Sequence, residues 1–349
     1  MKVFSFLYAL CVSAITGWLL TGCAGNSGEA TPQGICRIQQ YSAVDKAQSY
    51  TTTTQTTYTY DNNDNLTKSV ATIDILPMTG TSGKKTGNTT TTYTYDTNGF
   101  LTASSYQQQT TDVVLNNVSK TEVYSILTSY SYTSGRLSQK EEKYSGTYVA
   151  PNDNVASAYT YDANGNLTKI VVTRWNNTDY QETWSYRDNQ LTDFVQKTGS
   201  SEVRPYTIQD GVITKMVFPG QTDELVVTKT FDDQKRATRI DDAINGQLDR
   251  YDVQTWTDAK PATASLPAFK GFPPVDQSLP FSGKAGVLAS IKHFYWNSIS
   301  KTVQSTGEST SMVQTNAQGF VSNVTTAYSD ANGNQSTTYT ATYTYTNCQ

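Results

Sequence analysis

The chain has 349 residues, with 26 Lys and Arg against 30 Asp and Glu and a formal net charge of −4 at pH 7. That balance supplies no basic surface for a phosphate backbone, so no nucleic-acid partner is expected. Only 36% of residues are hydrophobic while Tyr alone numbers 24, which predicts a thin, tyrosine-rich core under a sheet with one wet face rather than a deep catalytic pocket.

In chain order, residues 1–22 read as a leader. Lys2 gives the positive start, Val3 to Leu20 is apolar, and Leu20-Thr21-Gly22-Cys23 follows. This resembles a bacterial lipobox and makes Cys23 the acylated first residue of the mature protein. Acyl chains anchor by about 0.8 kcal/mol per buried CH₂, and Ala24 after the Cys resembles an outer-membrane sorting signal. The expected location is the bacterial outer membrane, lipid-anchored, with the periplasmic or exterior face left open. Residues 23–34 are small and polar, a flexible tether. Residues 35–349 are expected to form one β domain.

Within that domain one unit recurs. Tyr159-Thr-Tyr-Asp-Ala-Asn-Gly-Asn-Leu-Thr-Lys-Ile170 alternates aromatic and Thr residues, turns at Asn-Gly, and alternates again, the pattern of a β-hairpin. Strong copies cover Tyr58–Val70, Tyr93–Ala103, Tyr130–Gln139, Trp184–Val195 and Tyr206–Met216, with weaker ones at Lys229–Ile240 and Val313–Val324. The hydrophobe after each turn falls at Leu66, Leu101, Leu137, Leu167, Leu191, Ile213 and Ala237. Their uneven spacing predicts hairpins joined by loops of variable length, not a fixed-length solenoid. Long copies such as Asp162–Gly165 suit a type I turn with a left-handed Gly and a bulge, pairing Tyr161 with Leu167. Short copies turn on two residues, at Ser134-Gly135, Asp188-Asn189 and Asp210-Gly211. They pair Tyr132 with Leu137, Tyr186 with Leu191 and Ile208 with Ile213. Continued alternation would put Tyr159, Tyr161, Leu167 and Lys169 on one face, and Thr160, Asp162, Thr168 and Ile170 on the other.

Tyr-Asp followed by Asn-Gly-Asn-Leu-Thr resembles the YD repeat of the RHS-repeat superfamily, and the whole chain is similar to short YD-repeat lipoproteins of unknown function. The resemblance covers roughly residues 58–240 and returns near the C-terminus. It is specific at Tyr93, Tyr159 and their turns and loose at Lys229, where Lys235 stands in place of Gly. It implies an extended antiparallel sheet of stacked hairpins and no established activity.

Five of the ten prolines lie between Pro261 and Pro280, which keeps the 261–284 stretch out of any central strand. Leu266, Phe269, Phe272 and Phe281 make it too apolar for a solvated linker, so it is expected to be an ordered loop covering an end or an edge of the sheet. Cys11 leaves with the leader and Cys23 is acylated, which leaves Cys36 and Cys348. Two thiols in an oxidising compartment predict a disulfide between the start of the sheet and its last strand, the alternative being two unpaired thiols.

Catalytic chemistry is sparse. His293 is the one histidine, too few for a His-based triad or a His-rich metal site. Asp61-x-Asn63-x-Asn65, Asp162-x-Asn164-x-Asn166 and Asp330-x-Asn332-x-Asn334 open like calcium loops, but Leu66, Leu167 and Gln335 occupy the sixth position, where such a loop needs Gly. Turn formation accounts for them. No metal and no cofactor is expected. Trp175, Trp184, Trp256 and Trp296 are candidate stacking platforms for sugar rings, or else ordinary apolar strand residues.

The expected fold is all-β, an extended antiparallel meander of hairpins forming a twisted, curled open sheet, with a closed barrel as the alternative. The expected function is non-enzymatic: a lipid-anchored envelope protein whose sheet surface binds a polysaccharide or another envelope protein. The alternatives are a purely structural spacer or shell, and a glycan-cleaving enzyme.

Overall fold

The structure, a computed structural model, describes residues 36–348 apart from 48–49, 78–82, 115–117, 148–153, 175–179, 220–222, 274–285 and 298–299. Cys23 and the leader, the tether and Trp175 lie outside the described residues. The first eleven strands are β1 (Arg37–Lys46), β2 (Tyr50–Tyr60), β3 (Leu66–Pro77), β4 (Lys85–Tyr95), β5 (Leu101–Val114), β6 (Val118–Thr133), β7 (Arg136–Gly146), β8 (Asn154–Tyr161), β9 (Leu167–Arg174), β10 (Tyr180–Arg187) and β11 (Gln190–Thr198). Ten follow: β12 (Ser201–Val203), β13 (Tyr206–Gln209), β14 (Val212–Pro219), β15 (Glu224–Phe231), β16 (Ala237–Ile244), β17 (Gln247–Trp256), β18 (Leu288–Asn297), β19 (Thr302–Thr315), β20 (Val321–Asp330) and β21 (Gln335–Thr346).

All ladders between these strands are antiparallel. β1 pairs with both β2 and β21, so the two ends of the meander lie side by side. Cys36 and Cys348 are bonded beside that pairing, with Cα atoms 4.3 Å apart across 312 residues of sequence. The sheet does not close into a barrel. β12 pairs with the end of β11 and β13 pairs with β14, and Arg204-Pro205 interrupts the strand between them. Pro205 has no N–H to give to a ladder.

The hairpin turns follow from their side chains. In the long units, Asp61, Asp96, Asp162, Asp232, Asn316 and Asp330 each accept a backbone N–H two or four residues on through a side-chain oxygen. The chain then passes through a left-handed residue: Gly99, Gly165, Gly319 and Gly333, with Asp64 and Lys235 taking that place at φ 61° and 62°. The short units have two successive positive-φ residues, at Ser134-Gly135, Asp188-Asn189 and Asp210-Gly211, and so does the turn Asn245-Gly246. The pairs Tyr161↔Leu167, Tyr132↔Leu137, Tyr186↔Leu191 and Ile208↔Ile213 form as expected.

The face assignment beyond the turn needs correction. A bulge leaves Thr168 without a partner, so Thr160 faces Lys169 and Tyr159 faces Ile170. Ile170 therefore joins Tyr159 and Leu167 in the core, at 4%, 8% and 0% exposure, and Lys169 turns to solvent. Thr67, Thr102, Ser138, Thr192, Thr214 and Thr238 hold the equivalent place. Each of these hydroxyls, like that of Thr168, donates to a carbonyl of the facing strand at 3.0–3.4 Å. The bulge reverses the phase of alternation, and the hydroxyl supplies a donor where the ladder skips. The strand boundaries also shift. Tyr148–Ala156 is expected as a loop, yet β8 begins at Asn154, and the expected strand Ser290–Val303 divides between β18 and β19.

The core sits on the inward face at the turn end. Leu66, Leu101, Leu137, Leu167 and Ile213 are at most 2% exposed. Tyrosines tie neighbouring hairpins together there: the hydroxyls of Tyr60, Tyr95, Tyr132, Tyr161 and Tyr345 donate to the carbonyls of Ile38, Leu66, Leu101, Leu137 and Val321. Trp256 does the same through its indole N–H, to Ala237. Phe281 and the rest of the Pro-rich segment lie outside the described residues; the described part, up to residue 273, plugs this end. It contains a short 3₁₀ turn at Ala262–Ser265. Ala262 and Leu266, with Phe269 and Phe272 beside them, pack against Ile38, Leu66, Tyr93 and Leu101. Phe272 also packs against the cluster around Leu137 and Leu167. Hydrogen bonds from backbone N–H groups seat the plug: Leu137 N donates to Gly271 O, Val321 N to Lys260 O and Ile38 N to the Ser265 side-chain Oγ.

Candidate binding face

Moving away from the plug along the inward face, the residues change from aliphatic to aromatic and polar. The register places Tyr106, Tyr124 and Tyr144 on β5, β6 and β7 on the side of Tyr130 and the buried Thr128. Their rings form a diagonal strip, with centroids 6.1 Å apart between Tyr106 and Tyr124 and 6.3 Å between Tyr124 and Tyr144. Those distances suit edge and tilted aromatic packing. All three are half-buried.

The strip continues into a polar network. Arg174 on β9 grips Glu182 on β10 through two bonds of 3.1 Å. Tyr180 donates to the same carboxylate at 2.8 Å, and Gln196 on β11 donates to the Tyr180 hydroxyl at 2.6 Å. On β7, Lys140 meets Glu142 at 3.1 Å. Burial pushes the Tyr144 phenol up, with the negative Glu142 beside it adding to the effect. Burial alone would lower the Lys140 ammonium, but Glu142 and the phenols of Tyr159 and Tyr130 outweigh it and raise it. Two cations thus face two anions, and the surface is charge-balanced with its polar groups held in fixed directions.

The three described tryptophans of the candidate set, Trp184, Trp256 and Trp296, are not brought together. Trp184 lies inward but is packed 4.3 Å from Phe194, near Tyr206. Trp256 serves the inter-hairpin ladder through its bond to Ala237. Trp296 is on the side of β18 opposite His293, with its indole N–H buried and unpartnered among the described residues. These three therefore do not make a common stacking platform. The tyrosine strip was missed from sequence because its rings sit on three strands whose offsets depend on irregular loops. The alternating Tyr pattern on each strand is the available signal. His293 pairs through Nδ1 with Asp252 at 2.8 Å, beside Tyr328. Glu142 and Glu182 are each held by a cation, and Asp61, Asp162 and Asp330 serve their turns, the duty that holds the latter three carboxyls below the ordinary carboxylate range.

No protein-family model matches the chain, and no curated protein matches it. Among solved structures it is similar to a porin-like protein from Bacteroides uniformis ATCC 8492, with a TM-score of 0.36, 12% identity and 90% of this chain and 97% of that one covered. It is also similar to a DUF4623 family protein from Bacteroides eggerthii DSM 20697, with a TM-score of 0.17, 9% identity and 87% of each chain covered.

Proposed function

We propose that this is a lipid-anchored, non-catalytic envelope protein that binds an extended polysaccharide along the inward face of its sheet. The observation that carries the reading is the run from Tyr106 through Tyr124 and Tyr144 to Arg174, Glu182, Tyr180 and Gln196. Half-buried rings offer apolar faces to sugar rings, and directed, charge-balanced polar groups beside them suit hydroxyls better than a strongly charged ligand. Anchoring rests on Leu20-Thr-Gly-Cys23, and the expected compartment follows from it. The test is retention of soluble protein starting at Ala24 on a glycan array and on insoluble polysaccharides. Replacing Tyr106, Tyr124 or Tyr144 by Ala is expected to weaken binding at least tenfold, about 1.4 kcal/mol, while Thr92→Ala on the outward face leaves it unchanged. Retention by no polysaccharide, or retention indifferent to all three tyrosines, overturns the reading and leaves a spacer.

A further inference from the structure

We propose that the turn end of the sheet carries a second, separate site, which takes a single neutral sugar ring. The turns Asp61–Asn65 and Asp96–Phe100 belong to hairpins joined by the β3–β4 ladder and so stand side by side. Between them and the plug segment Pro267–Lys270 lies a groove of about 270 Å³. This is just under the ~300–1,000 Å³ of pockets for drug-sized ligands. A monosaccharide is the matching size.

The chemistry of the walls narrows the class. Two carboxylates lie close by, and both are used by their own turns. Asp61 accepts the N–H groups of Asn63 and Asn65, and Asp96 those of Asn98 and Phe100. The Lys270 ammonium donates to the Asn98 carbonyl at 2.9 Å and lies 4.6 Å over the Phe100 ring. Besides these groups, Asn63, Thr97 and Asn98 line the groove on the turn side and Pro267 and Phe269, with Tyr95, line the rest. Amide and hydroxyl groups that both donate and accept, set against apolar and aromatic walls, match a ring with hydroxyls at its rim and C–H groups on its face. The Lys270 ammonium keeps its charge while bonded to a neutral carbonyl, but the Asp61 and Asp96 carboxylates close by are of opposite sign, so the region is not dominated by one charge as a site for a strongly ionic ligand would be. The Tyr95 hydroxyl, bonded to Leu66 O at 2.8 Å, and the packing of Phe269 against Tyr93 hold those walls in place.

This site is independent of the inward strip. The test is saturation-transfer NMR of the soluble chain with D-glucose, D-galactose, D-mannose and N-acetyl-D-glucosamine, each as the free monosaccharide. At least one is expected to bind saturably, with Kd roughly millimolar, about −4 kcal/mol. Ala268→Trp fills the groove from an exposed position and is expected to weaken that binding more than tenfold. The double change Asn63→Ala with Asn98→Ala, which leaves the plug intact, should weaken it as well. Tyr124→Ala should not. Saturable binding by none of the four sugars, or binding unchanged in Ala268→Trp and in the double variant, overturns the proposal. Binding lost in Tyr124→Ala but kept in Ala268→Trp overturns it too, while leaving the inward-face reading intact.

Discussion

The Thr or Ser that follows each post-turn hydrophobe shows how one hydroxyl settles the geometry of a hairpin. At Thr168 the ladder skips a residue, and the side chain donates 3.0 Å back to Thr160 O. Thr168→Val keeps the branched shape and removes the donor, and it should destabilise by about 1 kcal/mol. Thr168→Ser should recover most of that. Urea melts of the two variants give the comparison, and equal midpoints would mean the bulge does not need its hydroxyl. Tyr161→Phe makes the complementary case between hairpins. It leaves Leu137 O without the phenol that donates at 2.9 Å, and a loss of about 1 kcal/mol is expected from the same melt. The repeated Tyr-Asp and Leu-Thr pairs therefore do different work: Asp closes the turn, Tyr joins it to the previous hairpin, Leu fills the core and Thr stabilises the bulge.

At the scale of elements, local rules could be read from the chain and long-range ones could not. Turn type, turn length and the first cross-strand pair depend on residues within a few positions of Asp162 or Ser134, so composition settles them. The phase beyond Thr168 does not follow from alternation, because the bulge there reverses it. The tyrosine strip and the groove were invisible because each joins strands or segments far apart in sequence, Lys270 and Asn98 being 172 residues apart. The Pro-rich stretch is recognisable from its Phe and Leu content as an ordered cover for an end or an edge of the sheet, but which face it enters and which clusters it joins are not. It enters the inward face and touches both core clusters through Phe272, so it should couple them. Leu266→Ala, at a site 7% exposed, is expected to cost about 2–5 kcal/mol. It should lower amide protection in β4 and β9 together. Protection lost in β4 alone would show that the plug braces one side only.

For the molecule as a whole, two devices oppose the tendency of a long meander to fray at its ends. β1 lies between β2 and β21, and the Cys36–Cys348 bond fixes that junction; by loop entropy alone a closure this long is worth about 5 kcal/mol. The unpaired edges are displaced to the middle of the sequence, at β12 and β13. There the stacked rings of Phe194 and Tyr206, 4.7 Å apart, cover the gap. Buried phenols add to the stability given by the aliphatic core, and this gives the fold a defined weakness. Burial shifts the ionisation of Tyr58, Tyr93, Tyr95, Tyr132, Tyr161 and Tyr186 to higher pH, and it pushes the pKa of Tyr343 up to about 12. In the unfolded chain each would titrate near pH 10. A raised folded value means the native state keeps protons that the unfolded state has released, so stability is complete below about pH 10 and falls as pH rises through the folded values. On alkaline titration, phenolate absorbance should therefore lag well behind that of free tyrosine and then rise in one step together with loss of β circular dichroism. Gradual ionisation of the tyrosines near pH 10 with the sheet intact would show that the phenols are neither buried nor engaged, and that the core is held by the aliphatic ring around Leu101 and Leu137 alone.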